Sequence, residues 1–123
     1  MKVRCVQLLD LMGEKARASA WTSIGTTYHV LEVLIDPSGK NHLGFRIQSD
    51  DKKTPIIARA SQFELVTNAI PSCWTVSFLP DSLLYFAPVE WMESGFWERY
   101  FDKHEREQEI FERNYRKIVA EDP

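Results

Sequence analysis

Five carboxylates near the end of the chain, Glu98, Asp102, Glu105, Glu109 and Glu112, follow one another at intervals of four, three, four and three residues. On a helix of 3.6 residues per turn that spacing puts them on one continuous face. Arg99, Lys103, Arg106, Arg113 and Lys117 form a second, basic row beside it. Asp102 with Arg106, Glu109 with Arg113 and Glu112 with Arg116 are spaced for favourable i to i+4 pairs, as on any solvated helix. The acids are nevertheless neighbours of one another, and each like-charged pair costs about 0.2 to 0.5 kcal/mol in an isolated helix. Such segregation is useful where a cationic surface docks, because complementary charge speeds encounter and fixes register. The chemistry expected here is therefore electrostatic recognition of a partner. Its candidate residues are Glu98, Asp102, Glu105 and Glu109, joined by Asp50 and Asp51 of the Ser49-Asp50-Asp51 turn if the fold brings that turn to the same side.

No catalytic constellation accompanies these acids. His29, His42 and His104 are scattered, and no HExxH, GxSxG, phosphate-loop or GxGxxG pattern occurs. The adjacent aspartates at 50 and 51 could ligate a metal, but in a hairpin turn they read as turn-formers exposed to water. Cys5 and Cys73 lie in apolar, strand-like surroundings without CxxC spacing and read as small buried hydrophobes. No catalytic residue, metal or cofactor is expected.

The chain carries a formal charge of -3 and a pI near 5.6, which is not the basic footprint of a nucleic-acid binder. Residues 1–89 hold nine Lys and Arg against eight Asp and Glu, whereas 90–123 hold six against ten, so the acidity belongs to the last third. Lys2 and Arg4 before an apolar run, and "ARASA" at 16–20, imitate a secretion signal, but Gln7 and Asp10 interrupt the run. No stretch approaches the roughly 18 to 20 apolar residues of a membrane span. The expectation is a cytoplasmic protein with no membrane contact.

The elements that must position the acids read as α+β. "KVRCVQLL", "TYHVLEVLI" (27–35), "HLGFRIQS" (42–49), "TPIIARA" (54–60) and "ELV" are short strands, separated by the turns "DPSGK" and "DDKK". Their close spacing predicts a small antiparallel β-barrel or rolled sheet over 1–70. "CWTVSFL" and "LLYFAP", joined by "PDS", predict an extra β-hairpin over 71–88. The segment 89–120 reads as a long amphipathic C-terminal α-helix, all within a single domain of 1–123. On its wheel Trp97, Tyr100, Phe101, His104, Gln108, Phe111, Tyr115 and Ile118 share one arc, expected to pack on the sheet at about 1.5 to 3 kcal/mol per buried ring.

"GTTYHVLEVLID", a Gly-bearing turn, "GFRIQSDD", "TP" and "ASQFELV" resemble the small SH3-like β-barrel modules of bacterial proteins, in which the "ASxFExV" segment makes a one-turn helix and then the last strand. Followed by "IPSCW" and an acidic, aromatic C-terminal helix, the chain resembles the immunity proteins encoded beside secreted polymorphic toxins, including those of contact-dependent inhibition and Rhs systems. That resemblance implies a cytoplasmic inhibitor, not an enzyme. It would bind one cognate toxin, frequently a nuclease, and block its basic active-site cleft. Two other readings compete: an SH3-like nucleic-acid- or peptide-binding module using Lys40, Arg46, Lys52, Lys53 and Arg59, and a small enzyme of unrecognised type.

The charge distribution makes a direct prediction. Purified protein should not bind duplex or single-stranded nucleic acid at physiological salt in an electrophoretic or anisotropy assay. Submicromolar binding with a steep salt dependence would contradict it.

Overall fold

The computed structural model describes residues 1–37, 43–78 and 83–123. The turn centred on Gly39, with Lys40 and His42, and the "PDS" joint at 80–82 lie outside the described residues. Runs rich in β-branched and aromatic residues form eight strands: β1 (Lys2–Cys5), β2 (Thr27–His29), β3 (Glu32–Ile35), β4 (Leu43–Gln48), β5 (Pro55–Arg59), β6 (Phe63–Thr67), β7 (Trp74–Phe78) and β8 (Leu84–Pro88). They hydrogen-bond as two antiparallel sheets, of order β2-β1-β6 and β5-β4-β3-β8-β7. Two helices follow, α1 (Phe96–Phe101) and α2 (Glu105–Glu121). The α+β class expected from the sequence holds, with a long helix at the C-terminal end.

The segment 27–35, expected as one strand, is two. Val30 and Leu31 are both fully buried, and they face different cores. Val30 packs with Val3, Tyr28 and Ile47 between the sheets. Leu31 packs with Ala87, Trp91 and Ile118 beneath the helices. Successive side chains of a strand point to opposite sides, and here the chain also passes from the smaller sheet (β2) to the larger (β3), so the two residues enter different cores. Backbone bonds pin it there: Val30 N–H donates to the Met1 carbonyl (3.0 Å) and Leu31 N–H to the Arg46 carbonyl (2.8 Å).

The first strand is shorter than its apolar run, because β1 ends at Cys5 and the chain then bends against Gln62. The Gln62 carbonyl accepts from Val6 N–H (2.8 Å), and its side chain accepts from Leu9 N–H (2.9 Å). Gln62 ends a 3₁₀ turn, Ala60–Gln62, that leads directly into β6. The β7-β8 hairpin is no appendage, since β8 pairs with β3 (Val33 opposite Phe86) and extends the larger sheet.

The C-terminal segment departs most from its reading as one helix. A 3₁₀ turn spans Val89–Met92, and Gly95 takes φ 77° before α1, where a side chain would be strained. After Phe101 the chain breaks. Lys103 adopts φ 62°, Lys103 N–H bonds the Tyr100 carbonyl (2.9 Å) and His104 N–H the Arg99 carbonyl (3.0 Å). This is the left-handed closure that ends many helices, made here by a lysine where glycine is usual.

The expected aromatic arc is therefore interrupted at its middle. Phe101 is 49% exposed and His104 is exposed, contrary to expectation. Phe111 and Ile118 are buried as expected, whereas Phe96, Ile110 and Asn114 are buried although the wheel left them out. Phe111 is the hub of the cluster. Its ring stacks on Trp91 at 5.2 Å and on Tyr115 at 5.9 Å, and meets Tyr100 at 4.9 Å and Trp97 at 6.0 Å.

Phe111→Ala should cost about 3 to 5 kcal/mol, the range for truncating a large aromatic in a packed core. Phe101→Ala, on the exposed side of the break, should cost far less. Chemical denaturation of the two variants checks this, and equal losses would contradict the break between α1 and α2.

Candidate functional site

Charges on the C-terminal segment divide into those the fold uses and those it leaves. Glu107 is only 2% exposed, and a carboxylate so removed from water requires positive partners. Arg99 of α1 supplies its Nε (3.0 Å) and Arg106 of α2 its Nη1 (2.6 Å) to the same Glu107 oxygen. Both arginines also reach Glu93, through Arg99 Nη2 (3.0 Å) and Arg106 Nη2 (3.3 Å). The four side chains tie the loop before α1, α1 itself and the first turn of α2 into one knot. The Arg99 hydrogen bond, helped by that from Arg106, holds the Glu107 carboxyl below its ordinary value of 4.5. Arg113 pairs with Glu90, to which Asn114 Nδ2 also donates (3.0 Å), and Arg116 pairs with Glu112 at 3.1 Å.

These partners differ from the sequence expectation. Of the three i to i+4 pairs, Glu112 with Arg116 forms; Arg106 turns to Glu93 and Glu107, and Arg113 to Glu90. Among the described residues no side-chain hydrogen bond or ion pair engages Glu98, Asp102, Glu105 or Glu109, and all four are exposed. The break at Lys103 corrects the idea of a single helical stripe: Glu98 and Asp102 belong to α1 and its end, Glu105 and Glu109 to α2. Lys103, also exposed, sits between the two pairs.

Asp50 and Asp51 have local duties. Asp50 accepts from Ser23 Oγ (2.5 Å) and Tyr28 Oη (2.8 Å), tying the segment before β2 to the β4-β5 turn. Burial first, and the neighbouring Asp50 carboxylate second, push the Tyr28 phenol up to about 12. Asp51 accepts from Ser49 Oγ (2.7 Å) and the Lys52 N–H (2.7 Å), the first of which lowers its carboxyl below the usual range.

The sequence points to Arg46 only as a loop cation of the competing module and to Glu32 not at all. They face each other across β3 and β4 on the helix side of the larger sheet, both buried, with Arg46 Nε 2.7 Å from Glu32 Oε2. Arg46 Nη1 also donates to the Pro55 carbonyl (3.2 Å), and its guanidinium lies 3.9 Å over the Trp97 ring. Burial pushes the Glu32 carboxyl up while Arg46 pulls it back. Arg46 is thus no loop cation for a nucleic acid. Two opposite charges inside otherwise apolar strands, "VLEVLI" and "GFRIQ", were the signal that could have found this pair. A cavity of about 230 Å³ opens beside it, lined also by Tyr85, Trp91 and Glu98. A larger, mostly apolar cavity of about 450 Å³ lies across the molecule between residues 9–22 and β5, lined by Leu9, Trp21, Ile57 and Arg59.

The remaining candidates are placed without convergence. His29 Nε2 lies 2.7 Å from the Asp122 carbonyl, His104 precedes α2, Cys5 is buried and Cys73 partly so, both as free thiols. Among the described residues no three His, Cys, Asp or Glu side chains are grouped to hold a metal, and no helix is long and apolar enough to cross a membrane.

Because Glu107 is held below its ordinary value, its contribution is present above pH 4.5 and disappears as the carboxylate protonates at lower pH. Glu107→Gln should lower the melting temperature at neutral pH and remove part of the stability lost on acidification, measured by thermal melts across that range. An unchanged melting temperature would contradict the knot's role. No known protein-family model matches the chain, and neither does any curated protein or solved structure.

Proposed function

We propose that this protein is a binding protein that docks a cationic protein surface through Glu98, Asp102, Glu105 and Glu109. The partner in this reading is a secreted bacterial toxin, and the protein acts in the cytoplasm as its immunity protein, covering the active-site cleft. One observation carries the reading. The arginines of the C-terminal segment are paired within the chain to Glu90, Glu93, Glu107 and Glu112, while among the described residues four acids stay exposed without a side-chain partner. The fold thus separates a charge it needs from a charge it does not use. A nuclease suits this surface, because a cleft that binds phosphodiesters is lined with Lys and Arg. The short strands, the 3₁₀ turn into β6 and the sheet-to-sheet corner at Val30–Leu31 support the SH3-like resemblance that accompanies the reading.

A second reading, a peptide-binding module, is favoured by the apolar cavity beside Trp21, whose ring is partly exposed there. The two readings place the interface at different positions. A partner captured from the native cell should distinguish them.

Asp102→Lys combined with Glu105→Lys should cost no more than about 1 kcal/mol of stability, since both side chains are exposed and the loss comes mainly from a cation in the first turn of α2. Association with the captured partner should slow by about tenfold or more at low salt, and the difference should shrink as salt rises. Surface-based kinetics at two salt concentrations reads this directly. Wild-type kinetics in the double variant, with no salt dependence in either protein, would overturn the electrostatic reading. A loss on Trp21→Ala instead would favour the peptide reading.

A further inference from the structure

Each sheet ends in two edge strands, and natural proteins blunt such edges with charge, proline, bulges or shortness. Three of the four described edges are blunted. β5 carries Pro55 and Arg59, β6 carries Glu64 in an ion pair with Arg4 (2.5 Å) and has an irregular register on β1, and β2 is three residues long. The fourth edge, β7, has none of these devices. It reads Trp74-Thr75-Val76-Ser77-Phe78, without charge or proline, and stays in register with β8 over all five residues. Among the described residues, its only backbone hydrogen bond apart from those to β8 is from Trp74 N–H to the Pro71 carbonyl (3.1 Å). Alternate backbone groups of an antiparallel strand point away from its neighbour, so among the described residues the outer row of β7 is open. Val76 is 59% and Phe78 78% exposed on it.

The strand is also its own complement. Read in either direction its chemistry is aromatic, hydroxyl, valine, hydroxyl, aromatic. Two copies related by a two-fold axis at Val76 would run antiparallel, with Val76 opposite Val76, Thr75 opposite Ser77 and Trp74 opposite Phe78. Apolar side chains then share one face of the joined sheet, Val76 and Phe78 exposed and Trp74 partly buried against its own cores, and hydroxyls share the other. No like charges meet, whereas a cationic partner would gain no complementary charge from this neutral strand. We propose that β7 is a self-association edge, through which a second copy of this chain pairs antiparallel to make one sheet continuous across the two-fold. The contact is small, so the dimer is weak and populated at high protein concentration. The inference is independent of the acidic surface on α1 and α2, and either can fail alone.

Sedimentation of the full chain from about 10 µM to about 1 mM, the range in which a small interface associates, tests it. The wild type should shift from monomer to dimer, while Val76→Lys, which sets two like charges face to face on the axis, should stay monomeric with an unchanged thermal melt. Phe78→Lys, at an exposed end of the strand, should weaken the dimer similarly and serves if the first variant does not fold. Dimerisation unaffected by both variants would place the interface elsewhere and overturn the proposal. A monomer at every concentration would also overturn it, and would leave β7 as an edge for a strand of a different protein.

Discussion

Glu107 is a carboxylate enclosed by protein, and its need for positive charge organises the C-terminal third of the molecule. An unanswered buried charge would be strongly destabilising, so Arg99 and Arg106 converge on one of its oxygens. Those arginines come from two helices, and drawing them together goes with the break at Lys103 that turns α2 away from α1. Glu93 joins through the second nitrogens of the same guanidinium groups, which fixes the loop entering α1. The arginines nearest Glu98, Asp102, Glu105 and Glu109 are thereby paired to Glu93 and Glu107, and Lys103 alone among the neighbouring bases of the described residues stays exposed without a side-chain partner. The outward acidity of this surface is a consequence of how an inward charge was satisfied.

The same logic runs through the sheet below. Glu32 and Arg46 neutralise each other on the helix-facing side of β3 and β4, and Trp97 of α1 covers the guanidinium. Trp97 also packs on Trp91 and Phe111, so the ion pair and the aromatic cluster share a wall. Helix, sheet and charge knot are thus mechanically continuous from Pro55 to Glu107. The corner at Val30–Leu31 lets one chain segment serve both cores, which is how a chain of 123 residues supports two sheets and a helical layer.

Much of this was legible in the sequence. Alternating β-branched and aromatic residues located the strands, and the spacing of Phe111 and Ile118 located the buried side of α2. The division of residues 27–35 is hidden because "TYHVLEVLI" is continuously β-forming across the corner, and local pattern does not say which core each residue enters. The helix break was hidden because lysine, not glycine or proline, takes the left-handed position at 103. Glu107 looks on a helical wheel like Glu98 and Glu109, an acid facing water, and only tertiary packing shows that it is the one that does not. The four candidate acids are exposed as the wheel expects, but their isolation depends on Glu90 and Glu93, which take the arginines from outside the wheel's arc.

The account turns on whether the acids left unpaired by the Glu107 knot are the ones a partner covers. Amide hydrogen exchange of the protein, alone and with the partner captured from its native cell, reads that footprint directly. The account predicts new protection concentrated between Glu98 and Glu109, with little change around Trp21 and β5. Protection confined to residues 9–22 and β5, with residues 98–109 exchanging as in the free protein, would contradict it.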